Sequence, residues 1–140
     1  MVDRDILLAK IASIRKSLER IRAVTGGTSE SLNDLDIQDI FVLNLQRAVQ
    51  ATVDLAAHLV ADEKIGLPTN LKENFALLES RQIIDPSLSR RLQAMVGFRN
   101  IAVHDYQQLD LTILKSILEH RLGDLEEFVQ VITTRHHNLK

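Results

Sequence analysis

The segment Arg99-Asn100-Ile101-Ala102-Val103-His104-Asp105-Tyr106 brings together a permanent cation, an amide, a group that titrates near neutral pH and a phenol. Arg99 is the first anomaly. Leu88, Leu92 and Met95 lead at helical spacing to Arg99 and then to Ala102, so a guanidinium occupies a place on an apolar stripe. Such a charge has to find acceptors, because an unpaired buried charge costs several kcal/mol. Two readings stand side by side: a helix-end pair with Asp105 or with backbone carbonyls, and a functional arginine. Geometry constrains the second. At about 100° per residue, Arg99 and Tyr106 align on one helix, whereas His104 falls about 140° away from Arg99. Convergence of the three therefore requires the helix to end near His104, with Asp105-Tyr106-Gln107-Gln108-Leu109 as a loop before Asp110. A histidine at a helix C-terminus also has its charged form favoured by the macrodipole, which accounts for it without any catalysis.

A second polar interruption lies earlier. Asn44 falls on a stripe with Ile37, Phe41 and Ala48, and Arg47, Asp54 and His58 form a polar row beside it. Arg47 and Asp54 are two turns apart, too far for the best local pair but placed to line a common surface. The alternative is a solvated face with one buried asparagine that specifies packing. Other chemistry finds no support. His120 and the pair His136-His137 lack metal-ligand spacing to acidic partners, and Thr25-Gly26-Gly27-Thr28 lacks the lysine and preceding strand of a phosphate cradle. No G-x-S-x-G elbow is present. Gly97, costly inside a helix, suggests a close helix approach.

The elements that have to position these residues are helices. Leu7, Ile11, Ile14, Leu18 and Ile21 recur at spacings of four and three and form a narrow seam. Thr25-Gly26-Gly27-Thr28-Ser29 breaks the pattern. A second helix is predicted from about Asn33 to Lys64, with Phe41, Ala48, Ala51, Leu55 and Leu59 inward, ending at Gly66-Leu67-Pro68. A third starts near Asn70, with Glu73 reaching back in a capping-box manner and Leu71, Phe75 and Leu78 on its apolar side. Asp85-Pro86 reads as an N-cap followed by proline at the first helical position of a fourth, running to about Val103. The fifth is expected after Asp110, carrying Leu114, Leu118, Leu125, Val129 and Ile132 to near His136. The expectation is all-α: one domain over residues 1–140, an antiparallel bundle of about five helices.

Composition narrows the function. The chain of 140 residues suits a single core, and with no tryptophan and 4% aromatics that core has to be aliphatic. A formal net charge of −2 gives no global attraction for nucleic acid, so any RNA contact has to be local. The absence of cysteine removes disulfides, thiol catalysis and thiolate zinc sites. With no signal-peptide pattern and no apolar run of membrane-spanning length, a complete, cytoplasmic protein is expected.

Arg99 to Tyr106 reads R-x4-H-x-Y with Asn100 directly after the arginine, and in this the chain resembles the HEPN-domain ribonucleases, specifically the HepT toxins paired with MNT nucleotidyltransferase antitoxins. The context adds to the likeness: Met95-Val96-Gly97-Phe98 before the motif, Asn44-Leu45-Gln46-Arg47-Ala48 and Asp54-Leu55-Ala56 earlier, and a long terminal helix after it. The resemblance extends from about Ile6 to Phe128. It implies a protomer that dimerises and a metal-independent endoribonuclease in which the RNA 2′-hydroxyl attacks the neighbouring phosphate. His104 would move protons, Arg99 would stabilise charge on the phosphorane oxygens, and Asn100 would hydrogen-bond or orient. It also implies that the antitoxin, with its own ATP and magnesium, transfers AMP to Tyr106, while this chain needs no cofactor. Asn44, Arg47 and Asp54 are candidates for lining or supporting the RNA cleft.

Two rivals remain at this point. One is a non-catalytic helical binding module that works with a nucleotidyltransferase partner, to which the acidic balance is equally suited. The other is a purely structural bundle in which Arg99, His104 and Asp105 form a buried pair and a cap.

Overall fold

A computed structural model of the chain describes residues 3–104 and 110–136, residues 100–104 through their backbone. All regular structure among the described residues is helical: α1 (Arg4–Thr25), a 3-10 turn (Ser29–Asn33), α2 (Leu35–Asp62), α3 (Glu73–Ser80), α4 (Pro86–His104), α5 (Leu111–His120) and α6 (Leu122–Arg135).

α1 starts because the Asp3 carboxylate accepts the backbone N–H groups of Asp5 and Ile6, and it ends where Gly26 takes the left-handed conformation at φ 62°. Its predicted seam is wholly interior, Leu7, Ile11, Ile14, Leu18 and Ile21 all being buried. Each such side chain contributes about 1.5–3 kcal/mol relative to remaining exposed. The seam packs against α2 in the most extensive helix pair of the molecule. Two contacts fix this pair as antiparallel: the Asp3 N–H lies on the Asp62 carboxylate, and Lys10 Nζ lies 3.2 Å from Asp54 Oδ2.

Between them the 3-10 turn inserts Leu32, fully buried, into a stretch that periodicity reads only as a break. α6 covers the pair, tied at one end by Arg22 to Glu126 and at the other by Arg135 Nη2 to Glu63 Oε1 at 2.9 Å. α3 reaches the same core through an edge-to-face contact of Phe75 with Phe128, ring centroids 5.8 Å apart.

Four boundaries carry features that periodicity does not show. α2 and α3 both close with a left-handed non-glycine residue, Lys64 at φ 52° and Gln82 at φ 60°. In each case the following isoleucine N–H reaches back five residues, Ile65 to Val60 O and Ile83 to Leu78 O, which is the Schellman arrangement without its usual glycine. The predicted fifth helix is two helices, broken at Arg121 (φ −115°, ψ −16°). The break lets α5 pack on the 3-10 turn while α6 packs on α1, α2 and α4. The start of α3 holds Asn70 in the expected place, its Oδ1 accepting Glu73 N–H at 3.0 Å, but the Glu73 carboxylate turns to the Thr69 hydroxyl at 2.7 Å instead of closing the box.

Candidate active site

α4 carries the described part of the motif and is held firmly in its first half. At its start Asp85 Oδ1 accepts Leu88 N–H at 2.7 Å, and Pro86 takes the first helical position. Leu88, Leu92 and Met95 are buried as predicted, and Ser89, Val96 and Phe98 join them. Its flank is pinned to α6 by Arg91, whose Nη1 lies 2.6 Å from Asp124 Oδ1 and 3.1 Å from Glu127 Oε1. The hydrogen bonds that Arg91 donates to these two carboxylates, Glu127 foremost, raise its pKa above its already high ordinary value. This arginine is a fixed structural cation.

Arg99 is half-buried on the same helix, two turns further on. α4 includes Asn100 and His104 in its backbone course, and Asp110 caps α5 by accepting Thr112 N–H at 2.7 Å. Asp105 and Tyr106 lie outside the described residues, as do the side chains of Asn100 and His104. Since α4 runs through His104, the register of one helix separates positions 99 and 104 by about 140°.

The earlier polar row resolves into a groove of about 920 Å³ between α1 and α2, into which Asn44, Arg47 and Asp54 all contribute. Asn44 is buried and donates from Nδ2 to Ile40 O at 2.9 Å, within its own helix. Arg47 is exposed, and the half-buried Asp54 accepts from Lys10 Nζ and, at 2.8 Å, from Gln50 Nε2. His58 faces Asp62 at 2.9 Å instead of entering the groove. Lys10, Lys16 and Arg20 from α1 line the opposite wall and give it a basic character that the sequence reading missed. Their spacing on the polar side of the α1 seam was the available signal. The described lining of this groove comes from α1 and α2, so it gathers the three supporting candidates without Arg99.

Gly97 does not mark the close helix approach that its type suggests. A Cβ at this position would meet not a neighbouring helix but the end of the Lys72 side chain, Nζ at 3.5 Å and Cε at 3.8 Å. Lys72 belongs to the turn before α3 and was not among the sequence candidates.

No helix among the described residues is long and apolar enough to cross a membrane.

The family model described as "Ribonuclease HepT-like" matches residues 14–132. The mRNA nuclease HepT of Shewanella oneidensis is 42% identical over 128 residues, covering 91% of this chain and 96% of that protein. The tRNA nuclease HepT of Aphanizomenon flos-aquae is 33% identical over 66 residues, 47% of this chain and 45% of its own. Among solved structures, a toxin–antitoxin with AMP-PNP superposes with a TM-score of 0.88 at 41% identity, covering 93% of this chain and 98% of that one. A tri-AMPylated Shewanella oneidensis HEPN toxin in complex with MNT antitoxin does so at 0.87 and 42%, with the same coverage. An all-helical bundle, a family match across most of its length and solved relatives of the same shape agree: the chain belongs to the HepT-like ribonucleases.

Proposed function

We propose that this chain is the toxin of a HEPN/MNT (type VII) toxin–antitoxin pair, a cytoplasmic, metal-independent endoribonuclease neutralised by adenylylation of Tyr106. The observation that carries the reading is the R-x4-H-x-Y segment at the end of α4 in a chain 42% identical, over nearly its whole length, to an mRNA nuclease. In the reaction, the RNA 2′-oxygen bonds to the adjacent phosphorus as the bond from phosphorus to the 5′-oxygen breaks. The 2′-hydroxyl proton passes to one imidazole, and the departing 5′-oxygen takes a proton from an imidazolium. The products are a cyclic phosphate end and a 5′-hydroxyl end. His104 supplies the imidazole, a group whose reference pKa near 6.5 suits it to both roles. Arg99 offers planar donors to the phosphorane oxygens, and Asn100 adds a hydrogen bond or orients the pair.

The register separation of positions 99 and 104 on α4 supports a site shared across a homodimer, because one helix does not turn both toward one phosphate. Asn44, Arg47 and Asp54 support the RNA path from the α1–α2 groove. The solved relatives in complex with an MNT antitoxin favour a nucleotidyltransferase partner that uses ATP and magnesium in its own active site to modify Tyr106. An AMP group there adds negative charge and bulk where an RNA phosphate has to sit.

The test is cleavage of total RNA by the purified chain in EDTA. Wild type is expected to leave cyclic phosphate ends. His104→Ala and Arg99→Ala should each lose about 100-fold or more in rate, with Tm little changed. Incubation with the partner, ATP and magnesium should silence wild type and label it, while Tyr106→Phe takes no label. No cleavage, or cleavage indifferent to both alanine variants, leaves the non-catalytic binding module as the better account.

A further inference from the structure

Lys72 and Asn74 stand on one side of a groove of about 570 Å³, formed between the turn that precedes α3 and the α4 surface at Val96. Both carry unused polar capacity. Lys72 is exposed, and no described carboxylate forms an ion pair with it. Its ammonium lies beside Gly97, where a Cβ would come within 3.5 Å. The turn that bears it is fixed by Asn70 Oδ1 on Glu73 N–H and by Phe75 N–H on Lys72 O, each at 3.0 Å.

Asn74 is 3% exposed. Its Nδ2 donates to Leu71 O at 3.1 Å, which fixes the orientation of the amide, while the buried Oδ1 has no hydrogen-bond partner among the described residues. A buried acceptor left in this state has lost its water without a replacement, a deficit that a ligand N–H would relieve.

The place of Gly97 on α4 gives these two groups a direction. Positions 100, 101 and 104 fall within about 60° of position 97 in helical register, and position 104 is roughly 10 Å further along the axis. The Lys72 ammonium is thus on the face of α4 that carries Asn100 and His104, two to three stacked nucleotides from the latter at about 3.4 Å each. We infer that the groove between the α3 turn and α4 is a substrate subsite for one nucleotide of the RNA strand flanking the cleaved bond, its phosphate on Lys72 Nζ and a base N–H on Asn74 Oδ1. The inference rests on the ribonuclease reading for the position of the cleaved bond, and on the groove itself for the contacts. It also gives Gly97 a purpose: a longer side chain there would take the space in which the ammonium lies.

The test separates binding from cleavage by using a fluorescein-labelled, single-stranded 2′-O-methyl oligonucleotide, which lacks the attacking hydroxyl, with anisotropy read over a range of salt. Lys72→Ala is expected to weaken affinity about 5- to 10-fold and to lower the slope of log K against log salt by about 0.7, the share of one phosphate contact on a single strand. Lys72→Arg should restore both. Gly97→Glu, which sets a carboxylate beside an intact Lys72, should weaken binding as Lys72→Ala does. On cleavable RNA, Lys72→Ala should raise KM more than it lowers kcat. An oligonucleotide with an abasic position should bind wild type less tightly than its parent, and Asn74→Ala should shrink that difference. Affinity and salt slope unchanged in Lys72→Ala, or no oligonucleotide binding by wild type, would overturn the proposal. Failure of the ribonuclease reading shows elsewhere, as His104→Ala retaining cleavage, and the anisotropy arm reports on Lys72 whichever way that falls.

Discussion

Two arginines of α4 about two turns apart have opposite fates. Arg91 is held in a fork by Asp124 and Glu127, and Asp124 is itself 4% exposed, its second oxygen without a hydrogen-bond partner among the described residues. Removing the cation leaves a buried carboxylate alone, which costs far more than the pair contributes. Arg91→Met is expected to lower stability by about 3 kcal/mol in urea unfolding at neutral pH. The double variant Arg91→Met/Asp124→Leu should recover most of the loss, and a double variant as weak as the single one would show that the pairing is not the cause. Arg99, half-buried further along the helix, is the arginine that the proposed reaction assigns to the phosphorane oxygens. Its position was legible because the stripe of Leu88, Leu92 and Met95 is local, and an interruption in a local pattern can be seen in one sequence. Arg91 was not singled out, since its partners lie 33 and 36 residues away and only the fold joins them. Lys72 was hidden for the same reason, its meaning depending on Gly97 in another helix.

At the scale of elements, helices whose signals are local were found and those whose signals are tertiary were not. The α1 seam, the Asp85-Pro86 start and the Asp110 cap are sequence-local, and all three hold. The break at Arg121 is set by what each half packs against, α5 on the 3-10 turn and α6 on α1, α2 and α4, so periodicity ran across it. The end of α6, expected near His136, meets the end of α2. His136 N–H donates to Ile132 O at 2.9 Å, and Arg135 reaches Glu63, the residue that closes α2. Burial lowers the His136 pKa, Glu63 opposing the shift and Arg135 adding to it. A histidine depressed in the folded state favours the neutral form there. Its contribution to stability is therefore full above the unfolded value near 6.5 and is lost as pH falls below it toward the folded pKa. Wild type should lose stability between about pH 7 and pH 5 more steeply than His136→Gln, as read by denaturant melts at several pH values. Parallel profiles for the two proteins would exclude His136 as the group responsible.

For the whole molecule, a net charge of −2 gives no long-range attraction to RNA, so affinity has to come from local basic surfaces. The α1–α2 groove with Lys10, Lys16, Arg20 and Arg47 is one, and Lys72 beside α4 is another. Catalysis sets a further demand that one chain meets poorly. In-line displacement at phosphorus calls for a base and an acid on opposite sides, while each motif carries a single histidine and sets it about 140° in register from Arg99. A two-fold axis would supply the missing half, with each copy presenting its motif to the other. If the site is composite in this way, a dimer with one wild-type and one His104→Ala subunit lacks one of the two proton-transfer groups. Mixed dimers purified through different tags on the two subunits should therefore cleave at well below half the wild-type rate per dimer. Activity at half would indicate two independent sites, and undiminished activity would show that one histidine suffices; either result rules out a single site built from both histidines.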